Sequence, residues 1–224
     1  MKKFNQNTIK ECLLAEAKYI GLPSPIALTI IDLYDAPNRH YHTSQHLFNV
    51  LNESNKAIPL LDPDKTRALK LSLWFHDVIQ NYTKTKDSTK SDEEMSESFM
   101  RLYCGQIYSS EILNHAGKMI LLTGHYSKDL TPIEDITSQI MLSCDLAILG
   151  YEKSLYDKYA LNISKEYSFL DPSYYRSERL KVLTSLLEKN ERDDLYLHPA
   201  WSFSYKETAS YNLRSEIHNL SLVI

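Results

Sequence analysis

The sequence predicts an all-α protein of eight to ten helices, and three observations carry that prediction. Only five glycines occur in 224 residues. Strict apolar/polar alternation, the mark of a half-buried strand, is hard to find. Helical spacing recurs along the chain. In 66–80, Ala68, Leu71, Phe75 and Val78 follow one another at steps of 3, 4 and 3, with Leu69 and Leu73 widening the stripe.

In chain order, segments 8–20 and 24–35 carry the first two helical patterns, and a third helix over 43–56 opens near Thr43. The apolar run 66–80 follows, then 94–104 and 108–123. The next pattern covers 134–148; Leu142, Leu146 and Leu149 lie around Asp145, and Gly150 is placed to terminate the helix. After 152–167, the segment 172–189 starts with an N-cap, Asp171, and a first-turn proline, Pro172. The last pattern covers 206–221.

Two stretches interrupt this order. Residues 81–93, NYTKTKDSTKSDE, have no apolar period, and loops of that length are lids, binding loops, disordered insertions or plain solvated connections. Residues 190–205, with Asp193, Asp194, Pro199 and Tyr205, read as a second irregular connection. With no repeat and no evident interdomain linker, the expectation is a single domain over 1–224. Its core motifs lie in 34–150 and C-terminal helices 151–224 pack on them.

Composition narrows the function classes. Hydrophobic content of 43% and charged content of 24% are globular values, and 224 residues can bury a core without disulfides. A net charge of −4 argues against a dedicated nucleic-acid surface but leaves room for a local phosphate pocket. Cys12, Cys104 and Cys144 are far apart, without a C-x-x-C pair, which suits reduced thiols in a cytoplasmic protein. Met1-Lys2-Lys3 resembles a signal-peptide start, but Asn5, Gln6, Asn7, Lys10 and Glu11 interrupt any apolar region after it, and no apolar run approaches membrane-spanning length.

Three local patterns carry chemistry. In Arg39-His40-Tyr41-His42-Thr43-Ser44-Gln45-His46, His42 and His46 are four apart and lie near one helix face, while His40 points elsewhere. His76-Asp77 ends the apolar run 66–80, and a carboxylate carried inward is costly unless paired, hydrogen-bonded or metal-bound. Adjacent helical residues point ~100° apart, so a cation between them can be reached by both. The alternative is a helix-end His-Asp pair that caps. Asp145 sits in another apolar run, where it either bonds an amide or a histidine or joins a metal. Together His46, His76, Asp77 and Asp145 make a two-nitrogen, two-oxygen set suited to a divalent transition metal.

The ordered residues His46, His76-Asp77 and Asp145 resemble the H…HD…D signature of the HD-domain metal-dependent phosphohydrolases. The likeness is closest to a bacterial branch of that superfamily. It extends to Tyr34-Asp35-Ala36-Pro37, Arg39-His40-Tyr41-His42, Trp74-Phe75-His76-Asp77, Asp145 to Gly150, Glu166-Tyr167 and Asn212-Leu213. Tyr41 to His46 is also similar to the Y-H-N-x-x-H element of cyclic-nucleotide phosphodiesterases, which implies His42 as general acid and His46 as metal ligand. Two features depart from the family pattern: Asp92 to Glu97 lacks its Asn and Ala, and Ser143-Cys144 stands where relatives often carry an extra acid.

The resemblance implies an HD-type helical bundle that hydrolyses a phosphate monoester or diester, with a small phosphorylated substrate, a nucleotide among the candidates. One or two divalent ions (Mn, Mg, Co, Ni, Fe or Zn) would lower the pKa of water and neutralise phosphoryl charge. Asp77 would bridge to a second ion or orient the water, and Glu93 or Glu94 could position it. Arg39 would meet phosphate through its planar fork or else stabilise its turn. His125 is a candidate for a second metal or substrate contact; Arg176 and Arg179 line a phosphate pocket or form an ion-pair cluster with Glu178. His115, His198 and His218 are expected to be structural or exposed. Lys84, Lys86 and Lys90 would make 81–93 a lid that attracts an anionic substrate. Two other classes compete: a di-iron oxygenase, for which His125 and His115 could supply ligands, and a non-catalytic ligand-binding module.

Overall fold

The computed structural model of the protein describes residues 6–80, 90–125 and 133–222. Among them the chain forms ten α-helices and two short 3₁₀ turns, without a strand, so the all-α class is as expected. It divides into two compact units, Met1–Tyr126 and Ser127–Ile224. Of the lid expected over 81–93, residues 81–89, with Lys84 and Lys86, lie outside the described residues; Lys90 is exposed, and Ser91 caps a helix that starts at Asp92, which shortens the expected loop. No helix among the described residues is long and apolar enough to cross a membrane.

The first unit holds α1 (Gln6–Ile20), α2 (Ser24–Tyr34), α3 (Ser44–Ser54), α4 (Pro63–Phe75), α5 (Asp92–Cys104) and α6 (Ser110–His125). Helix α4 is its axis and packs against α1, α3, α5 and α6. From Ala68 to Phe75 every residue of α4 is buried, as befits a helix without a clear polar face. Lys70 survives there because its ammonium is fully paired. It donates to the Leu51 carbonyl at 3.1 Å and to Asn55 Oδ1 at 2.7 Å, and Glu16 lies 3.0 Å away.

Helix starts follow their caps. Asp62 accepts from the backbone N–H groups of Asp64 and Lys65, with Pro63 at the first helical position. This repeats the Asp171-Pro172 arrangement and moves the start of α4 three residues ahead of the apolar stripe. Ser91 and Glu94 form a reciprocal capping box at α5.

The end of α4 differs from expectation. The spacing predicts helix through residue 80, but α4 stops at Phe75. Two bonds explain the stop. The Leu73 carbonyl, the helical acceptor for residue 77, lies 3.0 Å from His76 Nδ1. The Asp77 N–H instead points to the Tyr34 hydroxyl, at 3.3 Å. Asp77 therefore leaves the helix on a tight turn closed by Val78 N–H on the Phe75 carbonyl at 3.1 Å.

The second unit holds α7 (Ile136–Asp145), a 3₁₀ turn (Leu146–Gly150), α8 (Lys153–Glu166), α9 (Pro172–Glu191) and α10 (Pro199–Leu222). Helix α10 begins seven residues before the predicted 206. Pro199 occupies its first turn, where a missing N–H costs nothing, and Trp201 is buried. His198 serves this start: its Nδ1 accepts the Ala200 N–H at 3.3 Å, and burial pushes its pKa down from the ordinary value, so the unprotonated acceptor is the favoured form.

Helix α10 packs on the turn after Asp145. The Asn212 amide donates to the carbonyls of Leu149 at 2.9 Å and Tyr151 at 2.8 Å, spanning Gly150. A Cβ on Gly150 would stand 2.2 Å from Tyr205 Cβ and 2.8 Å from the Tyr205 carbonyl oxygen. Neither atom is the end of a flexible side chain, so Gly150→Ala must force the turn and α10 apart. The expected loss is roughly 1–3 kcal/mol or more, typical of overpacking. Denaturant titration of the variant checks it, and unchanged stability would remove the close-approach explanation.

Candidate metal centre

The site in the first unit is built by the loop between α2 and α3, the first turn of α3, and the end of α4. Thr43 precedes α3 but makes no side-chain cap; Asp35 Oδ1 accepts the Ser44 N–H at 3.2 Å instead. That contact fixes the α3 start against the end of α2. His46, on the first turn of α3, is buried, as is His76.

Three ligand atoms converge. His46 Nε2 and His76 Nε2 lie 3.2 Å apart. Asp77 Oδ2 is 3.1 Å from His76 Nε2 and 3.4 Å from His46 Nε2. The second carboxylate oxygen, Oδ1, accepts from Gln80 Nε2 at 3.0 Å, which orients the first. The sequence reading had His76 and Asp77 as adjacent helical residues pointing ~100° apart; the turn after Phe75 aims Asp77 instead.

Protonation follows from the partners. A carbonyl only accepts, so the 3.0 Å contact with Leu73 puts the His76 proton on Nδ1. With only that proton, His76 would present an Nε2 lone pair towards Asp77; with a second proton on Nε2 it donates to that carboxylate. Burial pushes the Asp77 carboxyl up, but facing imidazolium charge on His76 and His42 and hydrogen bonds donated by His46 and His76 outweigh burial and hold it well below the usual carboxylate range. An ionised carboxylate oxygen and an imidazole lone pair 3.1 Å apart repel unless a cation stands with them. An added proton or a metal ion satisfies that requirement, and two imidazole nitrogens with a carboxylate oxygen are good donors for a divalent transition metal. His46, His76 and Asp77 thus form a His/Asp group that could hold a metal ion.

His42 stands at the edge of this group. Its Nε2 is 3.8 Å from Asp77 Oδ2 and its side chain is 18% exposed, against 2% for His46, so it reaches solvent where His46 does not. The Tyr41 ring packs beside both imidazoles, with centroids 4.9 Å from each, and the imidazoles meet edge-on at 5.7 Å. His40 is exposed, as its position in the octapeptide suggested.

Other expected residues have other engagements. Arg39 is buried and donates to the carbonyls of His42, Asp77 and Val78, which is the turn-stabilising alternative of the sequence reading. Glu94 is exposed, and its Oε2 accepts the Ser91 N–H at 2.7 Å as a helix cap; nothing in this geometry aims it at water for catalysis. Glu93 lies instead against Gly124 of α6. His125 ends α6, and its side chain lies outside the described residues. His218 is exposed.

In the second unit, Asp145 ends α7 and is half-buried. It adds to the burial, the larger cause, that raises the Tyr159 pKa. Arg179 is buried; its Nε and Nη2 donate to Glu216 at 2.9 and 3.2 Å, and its Nη1 to the Tyr159 hydroxyl at 3.3 Å. That bidentate pair favours an internal cross-link over the expected phosphate contact, and Glu178 pairs with Lys181 instead. Two residues with clear local roles were given none from the sequence: Tyr34, whose hydroxyl receives the Asp77 N–H, and Gln80, whose three-residue distance from Asp77 was the available signal.

Fold and site define an all-α protein with a His/Asp group able to hold a metal ion. No family model matches the chain, and no curated sequence matches it.

Proposed function

We propose that this protein is a metal-dependent phosphohydrolase of the HD-domain kind, acting on a small phosphorylated compound, with nucleotides foremost among the candidates. One observation carries the reading: His76 Nε2, His46 Nε2 and Asp77 Oδ2 face one another within 3.4 Å, with a more exposed imidazole, His42, beside them. The ordered H…HD…D signature and its carboxylate chemistry make Asp145 the candidate for a fourth ligand. A divalent ion held by this set would supply a lowered pKa for bound water and charge neutralisation at the phosphoryl oxygens.

The remaining work falls to side chains. Asp77, held by Gln80, fixes the acidic wall of the site. His42, in its protonated form, gives a proton to the leaving ester oxygen as the P–O bond breaks and water adds to phosphorus. The partly exposed position of His42 lets solvent return that proton after each cycle.

The test is metal analysis of protein purified without chelator, then a phosphate-ester screen with Mn, Mg, Co, Ni, Fe and Zn. Near-stoichiometric divalent metal and ester hydrolysis abolished by chelator are expected. Iron with oxygen consumption and no hydrolysis would replace this reading by oxygenase chemistry. Tight ligand binding without turnover under every metal would leave a binding module.

A further inference from the structure

The Arg39 guanidinium joins two parts of the site that the chain keeps far apart. Its Nη1 donates to the His42 carbonyl at 3.1 Å and to the Asp77 carbonyl at 2.7 Å. Its Nη2 donates to the Val78 carbonyl at 2.8 Å. The group lies over the Tyr34 ring, 5.1 Å from the centroid, and the Tyr34 hydroxyl takes the Asp77 N–H at 3.3 Å. Both faces of the Asp77 backbone are therefore held, the N–H by Tyr34 and the carbonyl by Arg39, and the same cation grips the residue proposed as proton donor.

We propose that Arg39 is a positioning residue that sets the His42 imidazole relative to the Asp77 ligand by bridging their backbone carbonyls. Its catalytic consequence rests on the hydrolase reading above; its geometric content does not. A planar cation with several fixed donors suits the task, because three carbonyls arranged around one buried point need donors diverging in one plane. A lysine ammonium keeps the charge but not the fork. Turning the guanidinium to a substrate phosphate would strip three carbonyls of a charged donor, the buried Val78 carbonyl among them, each a substantial loss. Arg39 therefore acts through His42 and Asp77, without touching substrate.

Arg39→Lys and Arg39→Ala test this beside the wild type. In metal-free protein, ring-to-ring magnetisation transfer between His42 and His46, whose centroids are 5.7 Å apart, reports the imidazole position. Both variants should weaken or lose it while the protein stays folded, and added guanidinium ion should restore it in Arg39→Ala. Mn²⁺ affinity should fall by no more than about tenfold, the mild end of outer-shell effects. With poor leaving groups kcat should drop roughly 100-fold, the scale of an ~1 Å misplacement, with KM little changed and good leaving groups spared. An unaltered His42–His46 signal overturns the proposal, as does a KM increase shared by all esters, which would mark Arg39 as a phosphate contact. If the wild type hydrolyses no ester, the hydrolase reading fails, and the magnetisation transfer with its guanidinium rescue still decides the positioning role.

Discussion

Asp77→Ala should empty the metal centre and abolish turnover together. Asp77 Oδ2 stands 3.1 and 3.4 Å from the two imidazole nitrogens, and it is the one carboxylate of the first unit within the group. Without it the two nitrogens, 3.2 Å apart, remain but lack the negative charge that would offset a divalent cation. Outer-shell partners alone cost about 10–100-fold in affinity or activity, so removing a direct ligand should exceed that range. Linkage gives a second readout. An ion at about 100 times its Kd stabilises the wild type by ~2.7 kcal/mol, and this metal-dependent rise in Tm should vanish in the variant. Equilibrium dialysis with Mn²⁺, paired with thermal melts, checks both. A variant that binds the ion stoichiometrically with wild-type affinity would show that Asp77 is no ligand.

His42→Ala should separate binding from chemistry. Its Nε2 is 3.8 Å from Asp77 Oδ2, outside the tighter trio, so metal content and the metal-dependent Tm rise should persist. Turnover should fall by about 10²–10⁴-fold, the usual worth of a positioned general acid. The fall should be steepest for esters whose leaving oxygen is basic, and small for those that depart unprotonated. A plot of log kcat against leaving-group pKa should steepen in the variant. Loss of the metal, or an equal drop for every leaving group, would reverse the assignments of acid and ligand. The comparison with Arg39→Lys is direct: both variants should share the leaving-group pattern, but only the Arg39 variants retain an imidazole to be repositioned.

The sequence by itself determined the helical class and most of the helix order. Apolar residues at steps of three and four place a stripe on a helix whatever it packs against, and Asp171-Pro172 caps locally, through bonds within one turn. It also singled out His46, His76 and Asp77, because histidines and a carboxylate beside apolar runs have a desolvation cost that demands partners. Helix ends at the site were beyond local reading. Whether α4 continues past Phe75 depends on where the Leu73 carbonyl and the Asp77 N–H find partners, and one of those partners, Tyr34, lies 43 residues away in sequence. The role of Arg39 was likewise undecided, since a guanidinium suits phosphate and carbonyls equally. Only the tertiary structure, by bringing the carbonyls of Asp77 and Val78 to its donors across 38 and 39 residues, made Arg39 a clamp on the backbone. Local periodicity determines which face of a helix is apolar; the partners of a buried polar atom are set by segments that periodicity does not connect.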